Sequence, residues 1–172
     1  MLGDSSAIER FVHTYQQDVY RLALSILDDS NEADDATQDT LLAVLRSLDS
    51  FRGDSSFTTW LYSITVNICR TRLQRHKRRQ ILTDLLNGIF QFGNRHTSSA
   101  EEAVIKNESD TALWQAVHKM NGKHRIPIVL RYYHDLSIAE IANILGIPEG
   151  TVHSRLNIAR KHLHDILKEG RS

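Results

Sequence analysis

The residues best suited to contact a ligand lie close to the end of the sequence. Residues 150–164 contain no acid. At helical spacing, Val152, Leu156, Ala159 and Leu163 share one apolar face that must be buried. Donors suit base edges and cations suit phosphates, so the opposite face predicts entry into a DNA major groove; an ordinary surface helix is the alternative. The outward and flanking polar residues are Thr151, His153, Ser154, Arg155, Asn157, Arg160 and Lys161.

The segment just before this helix predicts how the polar face is held. Ser137 and Glu140 have the spacing of a capping box, in which each side chain bonds the other residue's amide. Gly146 suits a sharp turn, and Pro148 opens the following helix. A short capped helix, a glycine turn and a second helix indicate a helix-turn-helix.

A second set of nucleic-acid candidates lies on a long helix that starts near residue 57. Arginines that track phosphates, combined with aromatic rings, suit single-stranded or melted DNA. Phe57 and Trp60 share the apolar stripe of this helix, so we expect them in the core. The loop 51–56, Asn67 and the cations that follow are assigned to DNA; the arginines concerned are Arg70, Arg72, Arg75, Arg78 and Arg79.

Apolar residues recur at helical spacing through most of the chain, which predicts an all-α protein of two small helical domains. We place the first domain at 1–80, a flexible linker at 81–111 and the helix-turn-helix domain at 112–172. Asn31 suits the start of the second helix. Residues 81–92 are apolar for a linker and either pack on their own domain, which is favoured, or dock on a partner. Residues 128–133 form either a strand or, as the neighbouring helices favour, a helix.

Composition narrows the class of protein further. The chain has 172 residues, with 21 Lys and Arg against 21 Asp and Glu, and a single cysteine that cannot form an internal disulfide. Without a signal-peptide profile or a membrane-length apolar run, we expect a cytosolic protein with no membrane insertion. Charge is segregated: residues 1–69 carry −7 and residues 70–80 carry +6. Separate charged blocks indicate separate partners, although solvated helix faces would give the same pattern.

Enzymatic chemistry has little support in the sequence. It contains no glycine-rich phosphate loop, nucleophile elbow or cluster of residues at metal-ligand spacing. His162 and His164 lie two apart on a helix and therefore point apart. Cys69 adjoins an apolar stripe and is expected in the core, with redox sensing as a remote option. We therefore predict no catalytic residue, metal, cofactor or small-molecule substrate.

Two stretches resemble a known family. Glu32-Ala-Asp-Asp-Ala-Thr-Gln-Asp39, together with residues 51–67, is similar to the second conserved region of bacterial sigma factors. Residues 137–142, with Gly146-Ile-Pro-Glu-Gly-Thr-Val-His-Ser-Arg155, resemble their fourth region. The length leaves room for these two regions only, so the resemblance is to the extracytoplasmic-function (ECF) group of the sigma-70 family. It covers nearly the whole chain except 81–111.

This resemblance implies a factor that binds core RNA polymerase and directs promoter-specific initiation on duplex and melted DNA. An anti-sigma protein, often membrane-anchored, is the implied regulator. The implied polymerase contacts are Asp34, Asp35, Gln38 and Asp39. The implied minus-ten contacts are Phe51, Arg52, Asp54, Ser55, Asn67, Arg70, Arg75 and Arg78, and the helix 149–164 is the implied minus-thirty-five reader. The alternative is a stand-alone helix-turn-helix repressor or activator, whose first domain serves ligand binding or dimerisation.

Overall fold

The structure is a computed structural model that describes residues 5–89 and 108–169. These residues form seven α-helices and one 3-10 turn at Leu48–Ser50, with no strand among them, which confirms the all-α prediction. The helices are α1 Ser5–Leu27, α2 Ser30–Ser47, α3 Phe57–Ile89, α4 Glu108–Lys119, α5 Gly122–Tyr132, α6 Ile138–Leu145 and α7 Glu149–Glu169. None of the described helices is both long enough and apolar enough to cross a bilayer.

The first three helices pack against one another as a bundle, here called the first part. The apolar stripe of α1 is fully buried at Val19, Leu22 and Ile26. Each such side chain stabilises the fold by about 1.5–3 kcal/mol relative to exposure. Cys69 is also buried, and burial raises the pKa of its thiol to about 12, as expected of a core residue. Its thiol therefore stays protonated at neutral pH.

The turn between α1 and α2 is built by two aspartates. Asp28 adopts a positive φ of 58°, which ends α1, and Asp29 is the N-cap of α2. Its carboxylate accepts a 2.9 Å hydrogen bond from the Glu32 amide. The cap therefore lies two residues before Asn31, which the sequence had favoured for this end. Asp29 has the extended backbone that a cap requires, whereas Asn31 is already helical.

The third helix is longer than its basic stretch. It continues to Ile89, so the domain boundary predicted after residue 80 falls inside a helix. Ile81 and Leu82 are 49% and 58% exposed, so these two side chains do not pack on their own part as favoured above. Residues 90–107, which include the glycine- and serine-containing stretch of the predicted linker, lie outside the described residues.

The remaining helices, α4 to α7, form the second part. Residues 128–132 belong to α5, so the helical alternative is correct there, and Pro127 lies inside this helix. The Asn121 side chain caps α5 by accepting from the Lys123 amide at 3.1 Å. Ile128, Val129 and Leu130 are buried, which anchors α5 at the centre of the second part.

The helix-turn-helix forms as its local sequence predicts. The Glu140 amide donates to Ser137 Oγ at 3.2 Å, and the Ser137 amide donates to the Glu140 carboxylate at 2.8 Å. The hydrogen bonds from Ser137 hold the pKa of Glu140 below its usual value. Gly146 caps α6 at φ 62°, a left-handed conformation that favours glycine. The capped turn fixes the direction in which α7 leaves.

The two parts touch along α1 and α3 on one side and α5 and α6 on the other. Arg125 donates to the Ile26 carbonyl oxygen at 2.8 Å, and a His134 ring nitrogen lies 3.2 Å from Ser25 Oγ. Buried apolar residues of both parts belong to one continuous cluster. The sequence had not indicated whether the two domains touch.

Candidate nucleic-acid interface

The outward face of α7 is presented as predicted. Val152, Leu156 and Ala159 are at most 1% exposed, and Leu163 is partly buried. The opposite side places donors and cations in solvent, at positions that a DNA groove could reach. The exposed residues are His153, Ser154, Asn157, Arg160 and Lys161, while Thr151 and Arg155 are half-buried.

The start of α7 is fixed by backbone hydrogen bonds. The amides of Thr151 and Val152 both donate to the Pro148 carbonyl oxygen, at 2.9 and 3.2 Å. These bonds close the first turn of α7, and Gly146 forms the turn that follows α6. A recognition helix contacts base edges mainly through its N-terminal residues, and Thr151, His153 and Ser154 lie in the first turns of α7.

The loop between α2 and α3 has a packed end and an exposed end. The ring of Phe51 lies 5.0 Å from that of Trp60 and 5.7 Å from that of Phe57, within an aromatic cluster that also includes residues of α1. Phe57 and Trp60 are partly buried, in agreement with the prediction that they are core residues. Phe51 therefore anchors the loop, while Arg52 and Asp54 are exposed on either side of Gly53, which has a φ of 76°.

Polar residues of α3 continue the surface beyond the loop. Asn67, Arg70, Arg75 and Arg78 are all exposed, as DNA contacts must be. Asn67 and Arg75 also line a shared groove with Asp39 of α2. The structure thus brings part of the predicted minus-ten set next to one member of the predicted polymerase set.

Arg72 does not serve as a free phosphate contact. Its guanidinium lies 2.6 Å from the carboxylates of both Glu32 and Asp39, and its side chain is 16% exposed. Burial opposes its charge, but the hydrogen bonds to Asp39 and Glu32 raise the pKa of Arg72 above its ordinary value. The inclusion of Arg72 among the DNA-tracking arginines is therefore wrong, because its donors already bind α2.

Glu32 was missed by the sequence reasoning. Besides Arg72, it contacts His76 Nε2 at 3.1 Å, and the hydrogen bond from Arg72 is the main reason its pKa is lowered. Acids at positions 32, 35 and 39 share one helical face, which was the available signal. Their partner on α3 could not be read from spacing within α2.

The four predicted polymerase contacts lie on two sides of α2. All of Asp34, Asp35, Gln38 and Asp39 are exposed. Asp35 and Asp39 face α3, where Arg72 lies 3.7 and 2.6 Å from their carboxylates. Asp34 and Gln38 line a groove against α1 instead. The α2 surface thus keeps two polar side chains that no other described residue binds.

The helix-turn-helix and the acid-free outward face of α7 place this chain among the helix-turn-helix DNA-binding proteins. The Sigma-70 region 2 family matches residues 11–79, and the family described as Sigma-70, region 4 matches residues 110–163. The chain belongs to the ECF RNA polymerase sigma factors of the sigma-70 family. As a sigma factor it is not an enzyme.

Two relatives illustrate the similarity. The RNA polymerase sigma-H factor of Pseudomonas aeruginosa is 31% identical, over 97% of this chain and 91% of its own. The ECF RNA polymerase sigma factor SigW of Bacillus subtilis is also 31% identical, over 97% of this chain and 92% of its own.

Solved structures share the fold. The sigma factor RpoE from Bartonella quintana, crystallised with the anti-sigma factor NepR, has a TM-score of 0.66 at 24% identity, covering 93% of this chain and 96% of its own. CnrH, in complex with the cytosolic domain of CnrY, has the same TM-score and identity, with coverage of 97% and 91%.

Proposed function

We propose that this sigma factor joins core RNA polymerase through the exposed face of α2. The observation that carries the proposal is the contrast in charge between the surface of α2 and that of α7. Carboxylates project from α2, whereas the outward side of α7 from 150 to 164 has none. Asp34, Asp35, Gln38 and Asp39 form the α2 surface, and Asp34 and Gln38 are its members free of Arg72.

The loop 51–56 and α3 read the minus-ten element in melted form. Arg52 and Asp54 flank the exposed turn at Gly53, and Asn67 lies on the α3 surface that continues from the loop. Capture of an unstacked base costs a few kcal/mol, which phosphate contacts must offset. Arg70, Arg75 and Arg78 supply those contacts, with Ser55 at the half-buried edge of the loop and Phe51 holding the loop in place.

The α7 face reads the minus-thirty-five element in duplex form. His153, Ser154 and Asn157 are assigned to base edges, and Thr151 belongs to the same first turns. Arg155, Arg160 and Lys161 are assigned to phosphates. Two modest sites on one chain bind a promoter more tightly than either alone, because the second contact is intramolecular.

Promoter binding requires the two parts to separate. Arg70 of α3 and Arg155 of α7 line the same cleft. Elements about 25 base pairs apart are separated by about 85 Å at 3.4 Å per base pair. One compact arrangement cannot place both arginines on such distant sites, so the contact between the parts opens when the promoter is engaged.

An anti-sigma protein is the proposed regulator, and the cytoplasm is the proposed location. The support for the regulator is that one solved structure with this fold is a sigma factor co-crystallised with the anti-sigma factor NepR, and another, CnrH, is in complex with the cytosolic domain of CnrY. A protein that covers the α2 face or the α7 face would block polymerase or promoter binding.

A run-off transcription assay tests this function. Added to core polymerase that lacks a sigma subunit, the chain should direct initiation from particular members of a promoter library. Asp34→Lys should weaken association with core polymerase about tenfold by reversing a charge, whereas Asp49→Lys, an exposed acid outside the proposed set, should change it less than about twofold. Both variants should keep full duplex binding. A footprint without polymerase and no stimulated transcription would favour the stand-alone repressor instead.

A further inference from the structure

A cleft between the two parts has the size of a small-molecule site. Its volume is about 680 Å³, within the usual range of roughly 300–1,000 Å³ for ligand pockets. One wall is α3, and the other is formed by α4 to α7 and the turn between α4 and α5. The floor is apolar, with Met120, Ile126 and Leu145 buried. Such a floor lowers the local dielectric and strengthens electrostatic attraction.

The charge of this cleft is one-sided. Six Lys and Arg residues and one histidine line it, and its described lining contains no Asp or Glu. Within the described part of the chain, none of the six Lys and Arg side chains forms a salt bridge. Of the residues that line the cleft, only His76 contacts a carboxylate, that of Glu32. The six are Arg70 and Lys77 from α3, and Lys119, Lys123, Arg125 and Arg155 from the second part.

Two of these arginines have unmet donors. Among the described residues, the buried side-chain nitrogens without a hydrogen-bond partner are Nε of Arg125 and Nε of Arg155, and both residues line this cleft. Arg125 uses its other nitrogens on carbonyl oxygens, including that of Ile26. The Arg155 side chain makes no hydrogen bond to any other described residue. An unmet buried donor is unfavourable, and an anion in the cleft would stabilise the positive charge of these two guanidinium groups.

The pKa of a histidine beside the cleft also reflects the excess of positive charge. His124 adjoins the cleft residues Lys123 and Arg155. Its pKa is lowered by burial first, and then by the positive groups His162, Lys123 and Arg155. Lys77 of α3 and Lys119 and Lys123 of the second part line the same space, so cations of the two parts repel across the cleft. An anion between them would convert that repulsion into attraction.

We propose that this cleft binds a small oligophosphate anion, to which both parts contribute cations. Three or four negative charges along a phosphate chain match the six Lys and Arg side chains, and phosphate oxygens accept from guanidinium groups in bidentate pairs. The volume admits such a molecule, or the phosphates of a nucleoside triphosphate, but not a duplex. The bound anion stabilises the contact between α3 and the second part, and so opposes the opening that promoter binding requires.

Calorimetric titration of the full chain with sodium tripolyphosphate, at about 0.15 M salt, tests the site. One anion should bind per chain. Lys119→Gln combined with Lys123→Gln should weaken binding about tenfold or more, because two charge-assisted contacts are lost. The control pair Arg21→Gln with Lys168→Gln removes the same charge from exposed positions outside the cleft and should stay within about twofold. Equal weakening by both pairs would show non-specific attraction and overturn the proposal.

A second comparison tests the contribution of α3. Lys77→Gln should weaken tripolyphosphate binding, while Arg79→Gln, an exposed cation of the same helix that does not line the cleft, should not. If neither matters, the anion does not bridge the two parts. Bound anion should also raise the melting temperature of the native chain, and should raise that of the Lys119 and Lys123 double variant less at the same anion concentration.

The remaining titrations identify the ligand. Similar affinity for ATP, GTP and tripolyphosphate would show that the phosphates are recognised, whereas tighter ATP or GTP binding would point to a nucleotide. If a short single-stranded oligonucleotide binds in a manner lost in the double variant, while tripolyphosphate does not bind, the cleft is a nucleic-acid surface and the proposal fails. These readouts use the isolated chain, so they succeed or fail independently of polymerase binding and transcription.

Discussion

The Arg125 side chain of α5 donates a 2.8 Å hydrogen bond to the carbonyl oxygen of Ile26, the penultimate residue of α1. The same guanidinium also contacts the carbonyl oxygens of His118 and Met120 within its own part. One half-buried cation therefore bonds backbone groups of both parts. Burial lowers the pKa of Arg125, and the nearby Asp28 partly offsets this. The contact between the parts thus depends on a charge held mainly by neutral carbonyl oxygens.

Arg125→Met should loosen the contact between the two parts without unfolding either. Hydrogen bonds from charged groups contribute about 1.5–3 kcal/mol each, a large share of a modest interface. Small-angle X-ray scattering should show the radius of gyration rising from the roughly 16 Å of a compact chain of this length. Arg131→Met is the matched control, because Arg131 donates to the Leu136 carbonyl oxygen inside the second part. An increase in both variants would contradict the linking role of Arg125.

Acidification should also open the contact, through His134. Because Ser25 Oγ donates to the Leu22 carbonyl oxygen at 2.8 Å, the His134 ring nitrogen is the donor in the 3.2 Å contact with Ser25. Its ring also packs edge-on against Tyr62 of α3, at 5.8 Å between centroids. Burial lowers the pKa of His134 from 6.5 to about 4, only partly offset by Asp18.

The direction of this pH effect on the contact between the parts follows from proton linkage. The closed arrangement binds fewer protons at His134 than the open one, so its stability is full above pH 6.5 and is lost as the pH falls from 6.5 toward about 4. Scattering at pH 7.5 and pH 5 should record the opening, and His134→Gln should reduce the difference, while His162→Gln on the exposed side of α7 should not. His118 is a weaker candidate, because Asp28 and the Ser25 carbonyl oxygen can both accept from its charged form. If the pH response survives in His134→Gln, the assignment is wrong.

Arg72→Met should destabilise the first part by about 1–3 kcal/mol. Its two 2.6 Å contacts are stronger than an exposed pair because the Arg72 side chain is only 16% exposed. Urea denaturation measures the loss, and Arg70→Met, an exposed arginine on the same helix, should cost less than about 0.5 kcal/mol. The lowered pKa of Glu32 adds stability that is present above pH 4.5 and is lost as the pH falls below it. Equal losses from both substitutions would remove the special role of Arg72.

Local features of the fold could be predicted from the sequence, whereas contacts between helices could not. The Ser137–Glu140 capping box and the Gly146 turn involve residues only a few positions apart, so their geometry is set locally. The Arg72 contacts join residues 33 to 40 positions apart and appear only once α2 packs on α3. The Arg125 contact spans 99 positions and depends on how the two parts meet.

The same distinction applies to the candidate site. The polar face of α7 follows from helical periodicity, since three buried residues at that spacing define the opposite side. The engagement of Phe51 by Trp60 requires the loop to fold back on α3, which no spacing rule predicts. Asp29 rather than Asn31 caps α2 because two nearby polar residues compete for one cap, and the backbone conformation decides between them.

Substitutions on α7 should separate base reading from phosphate binding. His153→Ala and Asn157→Ala each remove an exposed group assigned to base edges, so each should change preference at the upstream element by about 1–3 kcal/mol. Arg160→Ala should weaken binding to all sequences and reduce the salt slope by about one. Ile158→Ala, which changes an exposed apolar side chain on the same helix, is the control and should leave both properties unchanged. Titrations of the full chain against matched and scrambled duplexes at several salt concentrations measure both effects. If Arg160→Ala altered sequence preference while Asn157→Ala altered only the salt slope, the roles assigned to these two residues would be reversed.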